Sequence, residues 1–349
     1  MIGTTNNNSV LIAMSGGIDS SVAAFLMKDQ GYGCAGITMK LFEDFYDTKD
    51  AENIAEFLEM PHYMFDFEES FNREVINRFA EAYIKGYTPN PCIICNRYIK
   101  FNRLFQKAKE LDYNYTATGH YANAEYDNIS GRYLLKKAAD GKKDQSYVLY
   151  AMTQEQLKHI KFPLGGLTKP EVRKIAEERG FINAQKKESQ DICFVRDGDY
   201  AGFIEKYTGK IFPEGDFTDT SGNILGRHKG IIRYTVGQRR GLGLALKEPM
   251  YVYDKNVENN TVLLCRENEL YTKELTAHDI NLIPFDKINN RIKINAKVRY
   301  NQSEQPATAE QIDEDTLHIE FENPQRAIAR GQAVVLYDGD IVIGGGTIV

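Results

Sequence analysis

The strongest constraint on this chain is a glycine-rich turn near its amino terminus. Residues 10–22 read VLIAMSGGIDSSV, so a short apolar run ends at Ala13 and a helix-like run begins at Val22. A buried strand, glycines and a helix start bring unpaired backbone N–H groups to one point, where they can bind a phosphate. The carboxylate of Asp19 would repel a bare phosphate, which favours a Mg²⁺ ion between the two groups. The turn therefore predicts a phosphate site at the end of a buried strand.

This turn is not one of the two most general phosphate-binding motifs. It lacks the lysine of Gly-x-x-x-x-Gly-Lys-Ser/Thr and the spacing of Gly-x-Gly-x-x-Gly. The sequence SGGIDSS at 15–21 instead resembles the pyrophosphate loop of ATP pyrophosphatases, which split ATP to AMP and pyrophosphate while they adenylate a substrate. That resemblance implies ATP as a ligand of the turn.

Length, charge and cysteine usage narrow the class of protein. A chain of 349 residues predicts two or three domains. Its net charge of −6 argues weakly against nucleic acid, although local basic patches decide such binding. No run approaches the roughly 18 apolar residues of a membrane span, and residues 1–9 lack a signal segment, so we expect a cytoplasmic protein without a membrane partner. Five cysteines predict reduced thiols with chemical or metal roles.

Strand and helix patterns alternate after the turn, which is typical of a parallel α/β sheet. Strands are predicted at 36–39, 61–65 and 115–121, and helices at 50–60 and 70–85. Met39 and Gly119 fall at the carboxyl ends of strands, where such sheets contact ligands. For Met39 the alternative is an ordinary buried core side chain, and for His120 it is a structural histidine.

Three cysteines lie in segments whose residues suit metal binding or thiol chemistry. Residues 88–97 read TPNPCIICNR, and the two prolines predict an extended loop rather than a helix. Cys92 and Cys95 are spaced to share a metal or to exchange as thiols, but a structural zinc site needs two more ligands and a redox dithiol usually opens a helix. Cys193 follows Lys187 in a polar segment that favours a thiolate. Cys34 and Cys265 match no motif and are predicted to be buried, inert thiols.

Basic residues cluster at two places. One group follows the cysteine pair on a helical stretch and forms either a basic face for a partner or a solvated helix face: Arg97, Lys100, Arg103, Lys107 and Lys109. A second group precedes Asp144 and Gln145 and suits nucleic acid: Lys136, Lys137, Lys142 and Lys143.

The second half of the chain has a different pattern of residues. Helical patterns decline near 200–210, and residues 228–243 form a glycine-rich basic loop. A hairpin is predicted over 249–264. Short strands then follow at 291–300, 307–311, 316–321, 333–337 and 341–343, which predicts a small closed β-barrel. We divide the chain into domains at 1–205, 206–272 and 273–349.

Taken together, the motifs resemble the bacterial tRNA-specific 2-thiouridylases, the MnmA family, nearly from end to end. The matching segments are 15–21, 88–91, 95–96, 117–120, 144–147, 189–194, 234–243 and 330–332. The resemblance implies an α/β fold: an amino-terminal parallel-sheet domain with a pyrophosphate loop, a small mixed central domain and a carboxyl-terminal β-barrel. It also implies ATP-dependent 2-thiolation of the wobble uridine of tRNA.

The resemblance further assigns residues to roles. ATP, with Mg²⁺, would be held by Ala13, Met14, Ser15, Gly16, Gly17, Ile18, Asp19, Ser20, Met39 and Gly119. The target base would lie at Asn90, Pro91 and Cys92. The tRNA would contact His120, Lys143, Asp144, Gln145, Arg299, Tyr300 and Gln332. Cys193 would carry sulfur as a persulfide received from a cysteine desulfurase or relay protein, and Cys95 would be its disulfide-forming partner.

Three alternatives stay open at the level of sequence, and one is a non-catalytic RNA-binding protein in which Cys92 and Cys95 hold a structural metal. A [4Fe–4S] cluster on Cys92, Cys95 and Cys193, with one open iron, would bind hydrosulfide and replace the persulfide. A ligase that forms amides or amines would use the same loop without any cysteine.

Overall fold

The computed structural model describes residues 8–42, 48–186, 192–195 and 197–349. Its amino-terminal part contains a parallel sheet in the order β3-β2-β1-β4-β7. These strands are β1 Ser9–Ala13, β2 Gly33–Lys40, β3 His62–Asp66, β4 Tyr115–Ala117 and β7 Ile160–Lys161. The central strand β1 pairs with β2 on one side and β4 on the other, and this reversal of strand order is where such sheets bind ligands.

Helices cover the sheet where the sequence period is helical. They are α1 Ile18–Asp29, α2 Lys49–Phe57, and a continuous α3 made of Glu68–Phe71, the π-helical turn Asn72–Ile76 and Asn77–Ile84. The apolar residues of α3 recur every four positions and are buried: Phe71, Val75, Phe79 and Tyr83. The helices Gln154–His159, Lys169–Glu178 and Tyr200–Thr208 follow later in the chain. None of the helices formed by the described residues has both the length and the apolar composition needed to span a bilayer.

The prediction of an extended loop across the cysteine pair is wrong. A helix, α4, begins with Pro91–Cys95 and continues through the π-helical turn Asn96–Lys100 into Phe101–Glu110. Asn90 caps it, because its Oδ1 accepts the Cys92 N–H at 3.1 Å. Pro91 occupies the first turn, where an absent N–H leaves no bond unmade and its fixed φ already suits the helix. The same proline that argued for a loop therefore starts the helix.

The rest of the chain is mainly β structure. A central sheet has the order β10-β11-β8-β9, with β8 Gly215–Asp219, β9 Ile224–His228, β10 Tyr251–Asn256 and β11 Thr261–Cys265. The predicted barrel is confirmed and comprises β12 Tyr271–Leu282, β13 Ile292–Lys297, β14 Gln305–Gln311, β15 Leu317–Arg326, β16 Ala333–Asp338 and β17 Ile341–Ile348. It closes because β12 pairs with both β15 and β17. The sequence patterns did not reveal β8, β9 or β12.

The α/β part and the barrel are joined by main-chain pairing. The hairpin of β5 Asn123–Asp127 and β6 Arg132–Lys136 extends the barrel's sheet through the pairing of β6 with β17. The Thr88 N–H donates to the Arg330 carbonyl at 2.8 Å, just before the cysteine helix. The barrel therefore fixes the segment that leads into α4.

Tyr147 provides a buried link across the same junction, and it generates a testable prediction. Its side chain is fully buried, and its hydroxyl donates to the Ala333 carbonyl at 2.8 Å. We expect Tyr147→Phe to lower the free energy of unfolding by about 1 kcal/mol in urea titrations, because it removes one buried hydrogen bond. The control is Tyr126→Phe, since Tyr126 is largely exposed and should tolerate the loss of its hydroxyl. Equal stabilities for both variants would contradict this role.

Candidate functional site

The glycine turn is built from its own hydroxyls and one left-handed glycine. After β1 ends at Ala13, Gly16 adopts φ +70°, and a Cβ there would lie 3.0 Å from the Cβ of Asp50. The Ser20 hydroxyl accepts the Ser15 N–H at 3.2 Å and donates to the Gly17 carbonyl at 2.9 Å. These bonds fold the turn tightly before α1 begins, so the amino end of α1 faces the edge of the sheet.

Asp19 in the first turn of α1 faces a buried cation. The Lys169 ammonium lies 2.7 and 2.8 Å from the two carboxylate oxygens of Asp19, and the Tyr121 hydroxyl donates to Oδ1 at 2.7 Å. Lys169 therefore offsets the repulsion that Asp19 would exert on a phosphate. The sequence patterns alone do not single out this lysine. The signal was the helix start at 168–171, whose Thr168 and Glu171 form a capping box around it.

A cavity of about 230 Å³ opens beside the turn and collects most of the predicted ATP residues. It is lined by Ala13, Met14, Ser15, Asp19, Ser20, Met39 and Gly119 from that prediction, by His120 and Gln145 from the tRNA prediction, and by Thr38, Leu41, Lys100 and Thr118. Gly16, Gly17 and Ile18 shape the turn without lining the cavity. Met39 has both roles considered for it, since it also packs against the hydrophobic core.

Gly119 lets the end of β4 approach the turn closely. A Cβ at this position would lie 2.7 Å from the Asp19 carbonyl carbon and 2.8 Å from the Ser20 nitrogen. Real Cβ atoms do not approach that closely, so only glycine fits here. Glycine, two hydroxyls and a helix start around one cavity are groups that suit the phosphates of a nucleotide, and in this respect the residues fit ATP.

His120, beside Gly119, is neutral. Its Nδ1 lies 2.8 Å from the Thr118 hydroxyl, and its ring centroid lies 5.5 Å from that of Phe101. Burial holds the pKa of His120 well below its usual range, and the nearby Lys100 lowers it further. At neutral pH this histidine therefore offers hydrogen bonds but no charge.

The three cysteines of interest come together near this cavity, since Leu41, which lines it, belongs to the same core cluster as Cys95. Cys95 is buried in the same core cluster as Phe194, the neighbour of Cys193 in sequence. Each of Cys92 and Cys193 is close enough to raise the pKa of Cys95 electrostatically. The structure therefore places all three cysteines in one region, although they come from separate segments of the chain.

Burial has a larger effect than nearby charges on the pKa values of these thiols. It raises the pKa of Cys95 to about 12 and that of Cys193 to about 11, although both Cys92 and Cys193 retain solvent access. The expectation that Cys193 favours a thiolate is thus wrong for its described surroundings, while Lys187 and residues 189–191 lie outside the described residues. Desolvation also raises the pKa values of Cys34 and Cys265 to about 11. Cys265 is buried as predicted, whereas Cys34 is only partly buried.

The cysteine group does not fit a metal cluster. Among the residues that the structure describes, which include Cys92, Cys95 and Cys193, no three His, Cys, Asp or Glu side chains are arranged to hold a metal ion. All five cysteines are free, so the disulfide of Cys95 and Cys193 is not formed in this state. For Asp19, the pairing with Lys169 already neutralises the carboxylate, and Mg²⁺ there stays a prediction.

Several residues predicted to contact tRNA instead make internal hydrogen bonds. Arg299 donates to the carbonyls of Val236 and Ala327 at 3.0 and 2.8 Å, and Gln332 donates to the Thr88 carbonyl at 2.7 Å. Further bonds close the 138–146 loop: Asp144 accepts from Ala138 and Ser146, Gln145 accepts from Tyr121, and the Lys143 N–H donates to Asp140. These contacts hold the surface around the cysteines in shape, and direct contact with tRNA stays a prediction.

Tyr300 differs from those residues because it presents a ring to solvent. It is 36% exposed, and its ring centroid lies 6.0 Å from that of Tyr147. The Lys297 ammonium lies 5.7 Å from the Tyr300 centroid. Cys92 is near enough to raise the pKa of Tyr300, which places this ring beside the cysteine helix.

Comparison with known protein families matches three successive segments. The family described as tRNA methyl transferase HUP domain matches residues 8–197, tRNA methyl transferase PRC-barrel domain matches 201–266, and aminomethyltransferase beta-barrel domain matches 272–348. These segments coincide with the parallel sheet, the central sheet and the closed barrel.

Curated relatives match almost the whole chain. A tRNA-specific 2-thiouridylase MnmA of Clostridioides difficile is 48% identical over 354 residues, which cover 98% of both chains. One from Acetivibrio thermocellus is 49% identical over 357 residues, which cover 98% of this chain and 99% of the relative. Among solved structures, a 4-thiouridine synthetase–RNA complex with bound ATP is 18% identical, covers 58% of this chain and 50% of its own, and has a TM-score of 0.38.

The pairing of Lys169 with Asp19 generates a prediction about stability. The two side chains are 8% and 31% exposed, so the pair is largely shielded from water. We expect Lys169→Met to lower the free energy of unfolding by about 2 kcal/mol, because it removes one partner of a largely shielded ion pair. The double variant with Asp19→Asn should lose less than the sum of the single variants.

The matched control for this experiment is Lys174→Met on the same helix. Lys174 is 73% exposed and pairs with Glu178 at 3.7 Å. Its replacement should change the free energy of unfolding by less than about 0.5 kcal/mol. Additive losses in the Asp19 and Lys169 variants would show that the two charges are not coupled.

Proposed function

This chain belongs to the tRNA-specific 2-thiouridylase family, and from that membership we propose that it catalyses ATP-dependent 2-thiolation of the wobble uridine of tRNA. The observation that carries the proposal is the closeness of the cavity beside the glycine turn to the cysteine group: Lys100 lines that cavity and is near enough to Cys92, Cys95 and Cys193 to act on their pKa values. A nucleotide site and a sulfur site are both required, and they must be adjacent because one prepares the atom that the other replaces.

The first step is adenylation of the uridine. The C2 oxygen of uracil is a poor leaving group, and transfer of AMP from ATP to that oxygen, with release of pyrophosphate, converts it to a good one. Ser15, Ser20 and the amino end of α1 would bind the phosphates, and Gly119 would keep the turn in position. Mg²⁺ would add to the charge neutralisation that Lys169 already gives at Asp19.

The second step is transfer of sulfur from Cys193. A persulfide on Cys193 attacks C2, a carbon–sulfur bond forms, and the C2–O bond breaks with its electron pair leaving on AMP. Cys95 then loses its proton and attacks the Sγ of Cys193, which breaks the sulfur–sulfur bond and leaves the outer sulfur on C2 as the thiocarbonyl. The resulting Cys95–Cys193 disulfide needs a two-electron thiol reductant, and a sulfur-donor protein, either a cysteine desulfurase or a relay, then reloads Cys193.

The high pKa values of the two thiols support a persulfide rather than the bare thiol as the nucleophile. At neutral pH Cys193 holds its proton and is a weak nucleophile in its unloaded form. Cys193 therefore delivers sulfur only after a donor protein has converted it to a persulfide. The metal-cluster alternative has no support from the arrangement of the described cysteines.

The target base would lie at Asn90, Pro91 and Cys92 beside the exposed ring of Tyr300. A uridine whose C2 atom is to be modified must leave its stack in the anticodon loop. An aromatic ring in the protein replaces part of the lost stacking. His120 and Gln145 line the cavity and would contact the flipped nucleotide from the other side. The cytoplasm is where we expect such an enzyme to meet tRNA.

The central experiment replaces each of the two sulfur-transferring cysteines separately. We expect Cys193→Ser and Cys95→Ser to abolish 2-thiouridine formation in a reconstituted assay with ATP, tRNA and a sulfur donor, measured by nucleoside mass spectrometry. Cys34→Ser is the control, because that cysteine lies on β2, away from the cysteine group. Full activity of Cys193→Ser would instead favour a ligase that uses the turn without sulfur.

Tyr300 generates a second prediction about substrate binding. Removal of the ring in Tyr300→Ala should weaken tRNA binding by roughly 10- to 100-fold, the usual range for loss of one base–aromatic stack. Tyr300→Phe keeps the ring and should bind tRNA as the unchanged protein does. ATP affinity should be equal in all three proteins, and unchanged tRNA affinity of Tyr300→Ala would exclude stacking at this position.

A further inference from the structure

Lys100 occupies an unusual position on the cysteine helix. It ends the π-helical turn Asn96–Lys100, in which the Phe101 N–H donates to the Asn96 carbonyl five residues earlier. A π turn is wider than an α turn and brings residues five apart onto one face. Cys95 and Lys100 are five apart, so the turn aligns the lysine with the buried cysteine. Such turns are frequent at functional sites.

The same side chain reaches the nucleotide cavity. Lys100 lines that cavity together with Ser15, Asp19 and Gly119. Among the described lining residues it is the one with an ordinarily positive side chain, since His120 is neutral. Lys100 therefore belongs to the nucleotide site and to the cysteine helix at once.

Among the described residues, Lys100 differs from its neighbours on the helix because its half-buried side chain makes no hydrogen bond or ion pair. Other basic residues of the same helix are engaged with carboxylates: Arg97 with Asp279, Lys107 with Glu110 and Lys109 with Glu155. These pairs fit a solvated helix face, whereas Lys100 is a partly desolvated cation without a counter-charge, and that suits an anionic ligand.

The positive charge of Lys100 acts on all three cysteines of the group. It lowers the pKa of Cys92, Cys95 and Cys193, against the larger effect of burial in each case. For Cys193 the remaining influences are Cys92, which raises its pKa, and backbone N–H groups, which lower it. Lys100 is thus the one described side-chain cation that favours a sulfur anion at all three positions.

We propose that Lys100 is a catalytic residue of the sulfur-transfer step, whose ammonium group stabilises the attacking sulfur anion and the departing phosphate of AMP. This inference rests on the proposed function. Sulfur arrives as an anion at a carbon that carries a phosphate, so two negative charges approach each other in a partly desolvated site. A cation fixed between the nucleotide cavity and the cysteines reduces that repulsion where it is greatest.

The same cation acts on the release step. Cys95 must lose its proton before it attacks Sγ of Cys193, and burial opposes the loss. Lys100 favours the resulting thiolate, so it assists both the arrival of sulfur on C2 and the cleavage of the sulfur–sulfur bond. Neither step consumes Lys100, and the electron pairs leave on AMP and on the transferred sulfur as described above.

The test compares Lys100→Met with Lys100→Arg and with the control Lys109→Met. The first readout is the pH dependence of iodoacetamide alkylation at Cys193 in the full-length protein without nucleotide, followed by peptide mass spectrometry. We expect Lys100→Met to slow alkylation about tenfold at pH 8, which corresponds to a rise of about one unit in the pKa of the thiol. Lys100→Arg and Lys109→Met should keep the profile of the unchanged protein.

The second readout separates the chemical steps in a single turnover. With persulfide-loaded protein, ATP and tRNA, pyrophosphate release reports adenylation, and 2-thiouridine reports sulfur transfer. Lys100→Met should reduce sulfur transfer by about 100-fold and pyrophosphate release by much less. An unchanged alkylation profile, or equal losses in both steps, would overturn the role of Lys100.

Failure of the proposed function gives a different result. If the unchanged protein releases no pyrophosphate and forms no 2-thiouridine under these conditions, the thiolation activity is refuted. The alkylation profiles of the Lys100 variants do not depend on that activity, so they still decide whether this ammonium group acts on the sulfur atoms.

Discussion

The contact between Asp19 and Lys169 is the interaction on which the site depends. A carboxylate in the first turn of a helix is favourable for the helix but unfavourable for a bound phosphate. Lys169 resolves this conflict because it neutralises the carboxylate from a different helix, and Tyr121 adds a hydrogen bond to the same oxygen. The pair also ties together three segments that are far apart in sequence. The turn, the end of β4 and the helix Lys169–Glu178 are therefore positioned as one unit.

Around that unit, the barrel acts on the cysteine helix rather than on the nucleotide turn. Main-chain and side-chain bonds from Arg330 and Gln332 hold Thr88, which lies just before the helix cap at Asn90. Tyr147 and the β5–β6 hairpin join the same two parts at a second place. The β-barrel thus sets where α4 begins, and α4 in turn carries Cys92, Cys95 and Lys100 to the cavity.

Much of this arrangement follows from local sequence, and the exceptions have physical reasons. The apolar run at 10–13, the period of four in α3 and the short alternating strands near the carboxyl terminus identified the sheet, the helix and the barrel, because each pattern reports burial of one face. The segment at 88–97 was misjudged because proline stops a helix in its interior and starts one at its first turn. Lys169 was not singled out as a site residue, because its partner Asp19 lies 150 residues away in sequence. Lys100 was not singled out, because the sequence does not reveal that it lines the nucleotide cavity. The thiol at Cys193 was judged by its charged neighbours in sequence, whereas desolvation by distant atoms controls its pKa.

The protonated state of the Cys95 and Cys193 thiols has a consequence for the protein between reaction cycles. Peroxides and electrophilic metabolites attack thiolates far faster than thiols. Because the raised pKa values of Cys95 and Cys193 keep both thiols protonated at neutral pH, we expect them to be oxidised slowly in the unloaded protein. In the proposed reaction cycle, a reactive sulfur anion is present only while Cys193 carries a persulfide, so exposure of a strong nucleophile is limited to the loaded protein.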